Sequence, residues 1–286
     1  MRLRPKALLA AGILICSFTG FIDFVGISAA AEPAFNHAAW DRFLKKYVNE
    51  AGEVDYAAVK ADPALLNEYL AQVQAAADRT DPNPLHWPLK DWRREEQLAF
   101  WLNVYHAVIV SQVVQHYPLH SLNDVSGVWT APSLQVGARS FSLNDIRSRE
   151  LLAAFRDEKI HLALACSARS CPPFPREAFT APRVEGQLFL MTTQRVQDER
   201  FVQVVPQKKK VFLSRLFYWY GEDFILDFGT QGGSLDVKFT PPDMAVLSFV
   251  RHYTQDAEKI DFLEGLNYKI KYLPFDWTLA EWHKHD

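Results

Sequence analysis

The stretch DWRREEQLAFWLNVYHAVIVSQVVQHYP, residues 91–118, decides the fold. From Leu98 to Val114 it is apolar on nearly every side at helical spacing, and Pro118 closes it. A helix without a polar face belongs in the middle of a protein, so this one is expected to be the buried centre of the domain. Glu96, Asn103 and His106 nevertheless fall on one face of it at about 100° per residue. Buried carboxylate, amide and imidazole groups need partners. Either they bond to one another and to loop backbone, holding the hairpins in place, or they line the floor of a pocket.

Working outward, FNHAAWDRFLKKYV (35–48) carries Phe35, Ala38, Trp40, Phe43 and Val48 at helical spacing. In DPALLNEYLAQVQAAA (62–77), Asp62 is placed to cap a helix and Pro63 to begin it. DPNPLHWP (81–88) reads as a loop. WTAPSLQVGARSFSLNDI (129–146) alternates on both sides of Gly137, and FVQVVPQKKKVFLS (201–214) does so around 206–209, so each predicts a hairpin. Helices are expected over 146–155, 183–198, 214–224 and 241–254, a strand over KIHLALAC (159–166), and a strand with an aromatic turn over 269–282. Helices outnumber strands and the strands come in hairpins. The expected class is α+β: a single globular domain with a buried central helix and short β-hairpins.

The first residues combine a basic start, MRLRPK, with an apolar run and the small-residue exit SAAA. This pattern reads as a signal peptide over 1–31, cleaved after Ala31, followed by one domain over 32–286. Its removal takes away three basic residues and one acidic residue, moving the formal charge from −3 to about −5. With no basic tail or stripe, nucleic acid is not an expected partner. A membrane is expected to be met only through the leader, if it is retained. The expected location is the periplasm or the medium, and the expected partner is a small-molecule or peptide ligand of unknown identity. No cofactor is implied.

HLALACSARSCPPF (161–174) holds the candidate chemistry. Of three cysteines, Cys166 and Cys171 remain after cleavage. In a regular strand His161 and Cys166 point to opposite sides. As a nucleophile, either cysteine needs a lowered pKa and a base, with His161 or His106 as candidates, Asn103 as an orienter and Glu96 on the same helix face. As metal ligands, His161, Cys166 and Cys171 have unusual spacing and no evident fourth partner, so no metal is expected. In an oxidising compartment the pair is expected to be a disulfide. Asp145, Arg147 and Arg149 read as a solvated charge cluster at a helix start.

Together, FNHAAWDRFLKKYVNEAGEVDY, EEQLAFWLNVYHAVIV, HLALACSARSCPPF, SRLFYWYGEDF and YLPFDWTLAEW resemble, in that order, the DUF547 family of bacterial and plant proteins. The resemblance runs from about Phe35 to Trp282. It brings no biochemical activity with it, but it singles out Phe100, Trp101, Asn103 and Tyr105, and Cys166, Ser170, Cys171 and Pro172, as matching its motifs. Two departures stand out. The family usually has Asn where this chain has His106. After the hairpin it has an acidic residue and often a His following the Ile, where this chain has Arg147 and Ser148. Two functions stay open: a non-catalytic binding or scaffold domain with a Cys166–Cys171 bridge, and a thiol-dependent hydrolase or acyl-transfer enzyme acting on a peptide, amide or ester.

Overall fold

The computed structural model describes residues 35–77, 88–229 and 239–283. The leader segment and most of the 81–88 loop lie outside them. The first helices are α1 (Ala38–Tyr47), α2 (Tyr56–Ala61) and α3 (Ala64–Gln74), and the central helix is α4 (Arg94–His116). Every residue of α4 from Leu98 to Val110 is buried, as its all-round apolar character requires. Its start is fixed by the Glu96 carboxylate, which accepts the Arg93 backbone N–H at 3.0 Å and pairs with the Arg93 guanidinium.

The strands β1 (Leu134–Val136) and β2 (Arg139–Phe141) form the first hairpin, with Leu134 opposite Phe141. Gly137 turns it with φ +56, and its N–H donates to the Gln74 carbonyl at the end of α3. A Cβ at this position would stand 2.8 Å from the Ala77 Cβ, so glycine is required for backbone angle and for space alike. A short helix α5 (Leu143–Asp145), capped by Ser142, runs into a π-helix over Ile146–Ala153.

After α6 (Val184–Gln197), β3 (Val202–Val205) and β4 (Lys210–Leu213) form the second hairpin. The helices α7 (Arg215–Tyr220), α8 (Ile225–Phe228), α9 (Pro241–Tyr253) and α10 (Ala257–Glu264) follow. The last strand, β5 (Lys269–Tyr272), lies parallel to β4. Small sheets beside a dominant helical framework make this an α+β domain.

Its apolar interior has two parts. One surrounds α4; the other joins the three-stranded sheet to α7 and α9. The segment after the π-helix stitches them together, because Ile160 and Ala163 enter the first part and Leu162 the second.

The strand expected over 159–166 does not form. Asp157 accepts the Lys159 N–H and starts a 3-10 turn over Glu158–Leu162. The backbone beyond it is held by His106, whose Nε2 lies 3.1 Å from both the Ala163 carbonyl oxygen and the Ala165 amide nitrogen. An apolar run this short is read as a strand only when another strand is there to pair with it. Here a side chain of α4 occupies that place.

Candidate functional site: an aromatic cavity walled by a bridged loop

Cys166 and Cys171 are joined in a disulfide, with Cα atoms 5.7 Å apart. The intervening loop is anchored on several sides. Ser167 adopts φ +62, and the Tyr56 hydroxyl donates to its Oγ at 2.8 Å. The C-terminal segment runs alongside: Arg169 N–H donates to the Thr278 carbonyl, Ala280 N–H to that of Ser167, and Asp276 N–H to Ser170 Oγ. This pairing brings Phe275 and Trp277 to the loop.

Both cysteines line a cavity of about 290 Å³. Its walls include Tyr105 from α4, Trp129, Asn144 and Arg147 from the hairpin and π-helix region, His161, and Trp219 and Tyr220 from α7. Phe275 and Trp277 complete the rim, where Trp219 and Trp277 stack at 5.8 Å and Phe275 lies 4.4 Å from Trp277. The lining therefore draws on both parts of the interior.

His161 is buried at 4% exposure and stacks on Tyr220 with ring centres 4.5 Å apart. Its Nε2 lies 2.8 Å from Asp223 Oδ2. Burial lowers the imidazole pKa, against the opposing pull of Asp223, while the His161 hydrogen bond lowers that of the Asp223 carboxyl. At neutral pH the pair is thus a neutral imidazole donating Nε2–H to a carboxylate. That tautomer leaves the lone pair on Nδ1, the geometry of a base oriented by an acid. The Arg147 guanidinium lies 4.5 Å over the same Tyr220 ring.

The sequence-derived candidates separate in space. Cys166, Cys171 and His161 converge on the cavity. The opposite-sides reading of His161 and Cys166 fails because it assumed a strand. Asn103 and His106 face loop backbone: Asn103 grips both backbone groups of Phe179, and His106 Nε2 lies against the Ala163 carbonyl and the Ala165 N–H, one of which it bonds according to tautomer. Glu96 caps its own helix. The three share a helix face without bonding to one another. Burial pushes the His106 pKa down to about 3, keeping the ring neutral, and its Nδ1 is buried without a hydrogen bond.

Arg147 and Asp223 escaped the sequence reading. Arg147 was grouped with a solvated cluster, yet it sits where the chain departs from the family pattern, and that departure was the available signal. The other departure after Ile146, Ser148, lines an adjoining cavity that also contains His161 and Asp223. Asp223 lies 62 residues from its partner, and although it sits in the motif SRLFYWYGEDF nothing local pointed to His161. Among the described residues, no group of three or more His, Cys, Asp or Glu side chains is placed to hold a metal.

Fold and site together define an α+β domain with an aromatic cavity closed by a disulfide-bridged loop. Residues 89–194 match the family model of DUF547, described as a protein of unknown function. The matched segment carries Tyr105, Arg147, His161 and both bridged cysteines; the motifs around residues 35–56, 214–224 and 272–282 lie outside it. No curated protein and no solved structure matches the chain.

Proposed function

We propose that the protein is an exported, non-catalytic binding domain whose aromatic cavity takes a small-molecule or peptide ligand. The observation that carries this reading is the convergence of Trp129, Trp219, Tyr220, Phe275 and Trp277 on one cavity whose wall is the bridged loop. Aromatic walls with a few polar groups are the usual chemistry of a ligand site, and bridging both cysteines removes the thiol that an enzyme of this kind would need. A disulfide also suits the oxidising compartment to which the N-terminal segment would direct the chain. On this reading the mature N-terminus is Glu32, and an intact mass that retains Met1 in the envelope or medium fraction would reject export with cleavage.

The His161–Asp223 pair favours a second reading: a cysteine-dependent hydrolase or acyltransferase that appears on reduction of the bridge. A dithiol reductant would be oxidised to its own disulfide as the two thiols form. One thiol would pass its proton to His161 Nδ1 and attack an acyl carbon. The amine or alcohol would leave with that proton, and water or an acceptor would release the thioester.

One experiment separates the two. Turnover of p-nitrophenyl acetate is measured with and without a dithiol, alongside Cys166→Ser, Cys171→Ser and His161→Ala. The binding reading expects no turnover above the variants in either redox state. Dithiol-dependent turnover lost in His161→Ala and in one Cys→Ser variant establishes the enzyme instead.

A further inference from the structure

Resting on the binding reading of the aromatic cavity, we infer that its ligand is a small organic carboxylate, with the anion held by Arg147, Asn144 and Tyr105 and a flat face laid on the Trp219–Trp277 rim.

Three polar groups of the lining have no hydrogen-bond or ion-pair partner among the described residues. The Arg147 guanidinium makes no ion pair or hydrogen bond among the described residues; its contact is the face of Tyr220. The Asn144 side-chain amide is likewise uncommitted among the described residues, because the bond from Asn144 to Trp129 uses backbone groups. Tyr105 is 2% exposed on the central helix, and its hydroxyl has no hydrogen-bond partner among the described residues although its side chain reaches the cavity. That hydroxyl opens onto the cavity, where a ligand can reach it.

All three groups can donate hydrogen bonds, so the complement is an acceptor. The lining has one formally charged side chain, Arg147, because His161 is neutral beside Asp223. Asp223, the nearby carboxylate, is engaged with His161 and forms no ion pair with Arg147. The cavity thus presents a guanidinium that no ion pair holds behind its aromatic walls, with Asp223 close enough to feel its charge but bonded to His161 instead. A guanidinium presents a planar fork that matches a carboxylate in two parallel hydrogen bonds. Held over the Tyr220 ring, Arg147 is positioned before any ligand arrives. The exposed rings of Trp219 and Trp277 offer faces that suit an aromatic ring or the apolar face of a sugar. The shared chemistry is therefore a carboxylate beside a flat face, which either an aromatic amino-acid C-terminus or a sugar acid would provide.

The test is calorimetric titration of the full, bridged protein with two matched pairs: N-acetyl-phenylalanine against N-acetyl-phenylalaninamide, and glucuronate against glucose. In at least one pair the acid should bind roughly tenfold or more tightly than its neutral partner, as loss of a charge-assisted hydrogen bond implies. The pair that does so names the source. Arg147→Met should bring acid and neutral binding to within about twofold, Arg147→Lys should keep part of the preference as a point charge, and Tyr105→Phe should weaken the acid alone. Equal binding of acids and neutrals to the parent, or a preference that survives in Arg147→Met, overturns the carboxylate assignment and leaves the cavity reading standing. Failure of all four probes to bind overturns both.

Discussion

Asn103 holds Phe179 by both of its backbone groups: its Nδ2 donates to the Phe179 carbonyl at 2.8 Å, and its Oδ1 accepts the Phe179 N–H at 2.9 Å. A side-chain amide thereby does for a loop what a neighbouring strand would do in a sheet. Because all four groups are buried, removing the amide strands two backbone groups away from water. Asn103→Leu should cost on the order of 3 kcal/mol, measured by urea unfolding. A variant as stable as the parent would show that the Phe179 loop finds other partners.

His106 performs a similar task with one nitrogen placed 3.1 Å from both the Ala163 carbonyl and the Ala165 N–H, bonding one or the other according to its tautomer. A glutamine has the reach of the imidazole and supplies separate donor and acceptor atoms. His106→Gln should stay within about 1 kcal/mol of the parent, whereas His106→Leu should lose on the order of 2 kcal/mol or more. Equal loss in both would mean that ring packing, not hydrogen bonding, holds the segment.

Burial lowers the pKa of His37 and His106 to about 3 each. Their unfolded value is about 6.5. Below that pH the unfolded chain binds protons that the folded one refuses, so stability present above about pH 6.5 falls as the pH drops toward 3. Each histidine should add up to about 1.4 kcal/mol per pH unit to that slope. Equilibrium unfolding between pH 4 and 7 should show His106→Gln with a shallower slope than the parent. An unchanged slope would place the proton uptake elsewhere.

For the bridge, alkylation of native protein followed by mass spectrometry should leave Cys166 and Cys171 unlabelled until reduction. Closing so short a loop contributes roughly 2 kcal/mol on the chain-entropy account, so Cys171→Ser should lower stability by about that amount. Two freely alkylated cysteines in the native protein would remove the bridge and strengthen the thiol-enzyme reading.

Gly137→Ala forces a left-handed backbone on an L-residue and presses its Cβ against Ala77. The expected loss is roughly 1–3 kcal/mol. Unaltered unfolding would show that the hairpin can leave α3 without cost.

Much of the framework was legible because its signals are local. The buried nature of α4 follows from an unbroken apolar pattern, the first hairpin from alternation around Gly137, and α9 from Pro241, Pro242 and Asp243 at its start. The segment 159–166 was misread for a reason of the same kind: a short apolar run specifies burial and leaves its hydrogen-bond partner open, and His106 of α4 became that partner.

By itself, the sequence determined the α+β class, the central helix and the need for polar groups on α4 to find partners. Each of these depends on residues close together in the chain, where spacing and backbone geometry suffice. Only the tertiary structure decided that Asn103 and His106 serve loops while Tyr105, between them on the same helix, reaches a cavity. It also decided that His161 meets Asp223, that Arg147 turns onto Tyr220, and that Trp277 arrives beside the bridged loop. These meetings join residues tens to more than a hundred positions apart. They arise where two parts of the interior pack against each other, and no local pattern encodes which side chains line that seam.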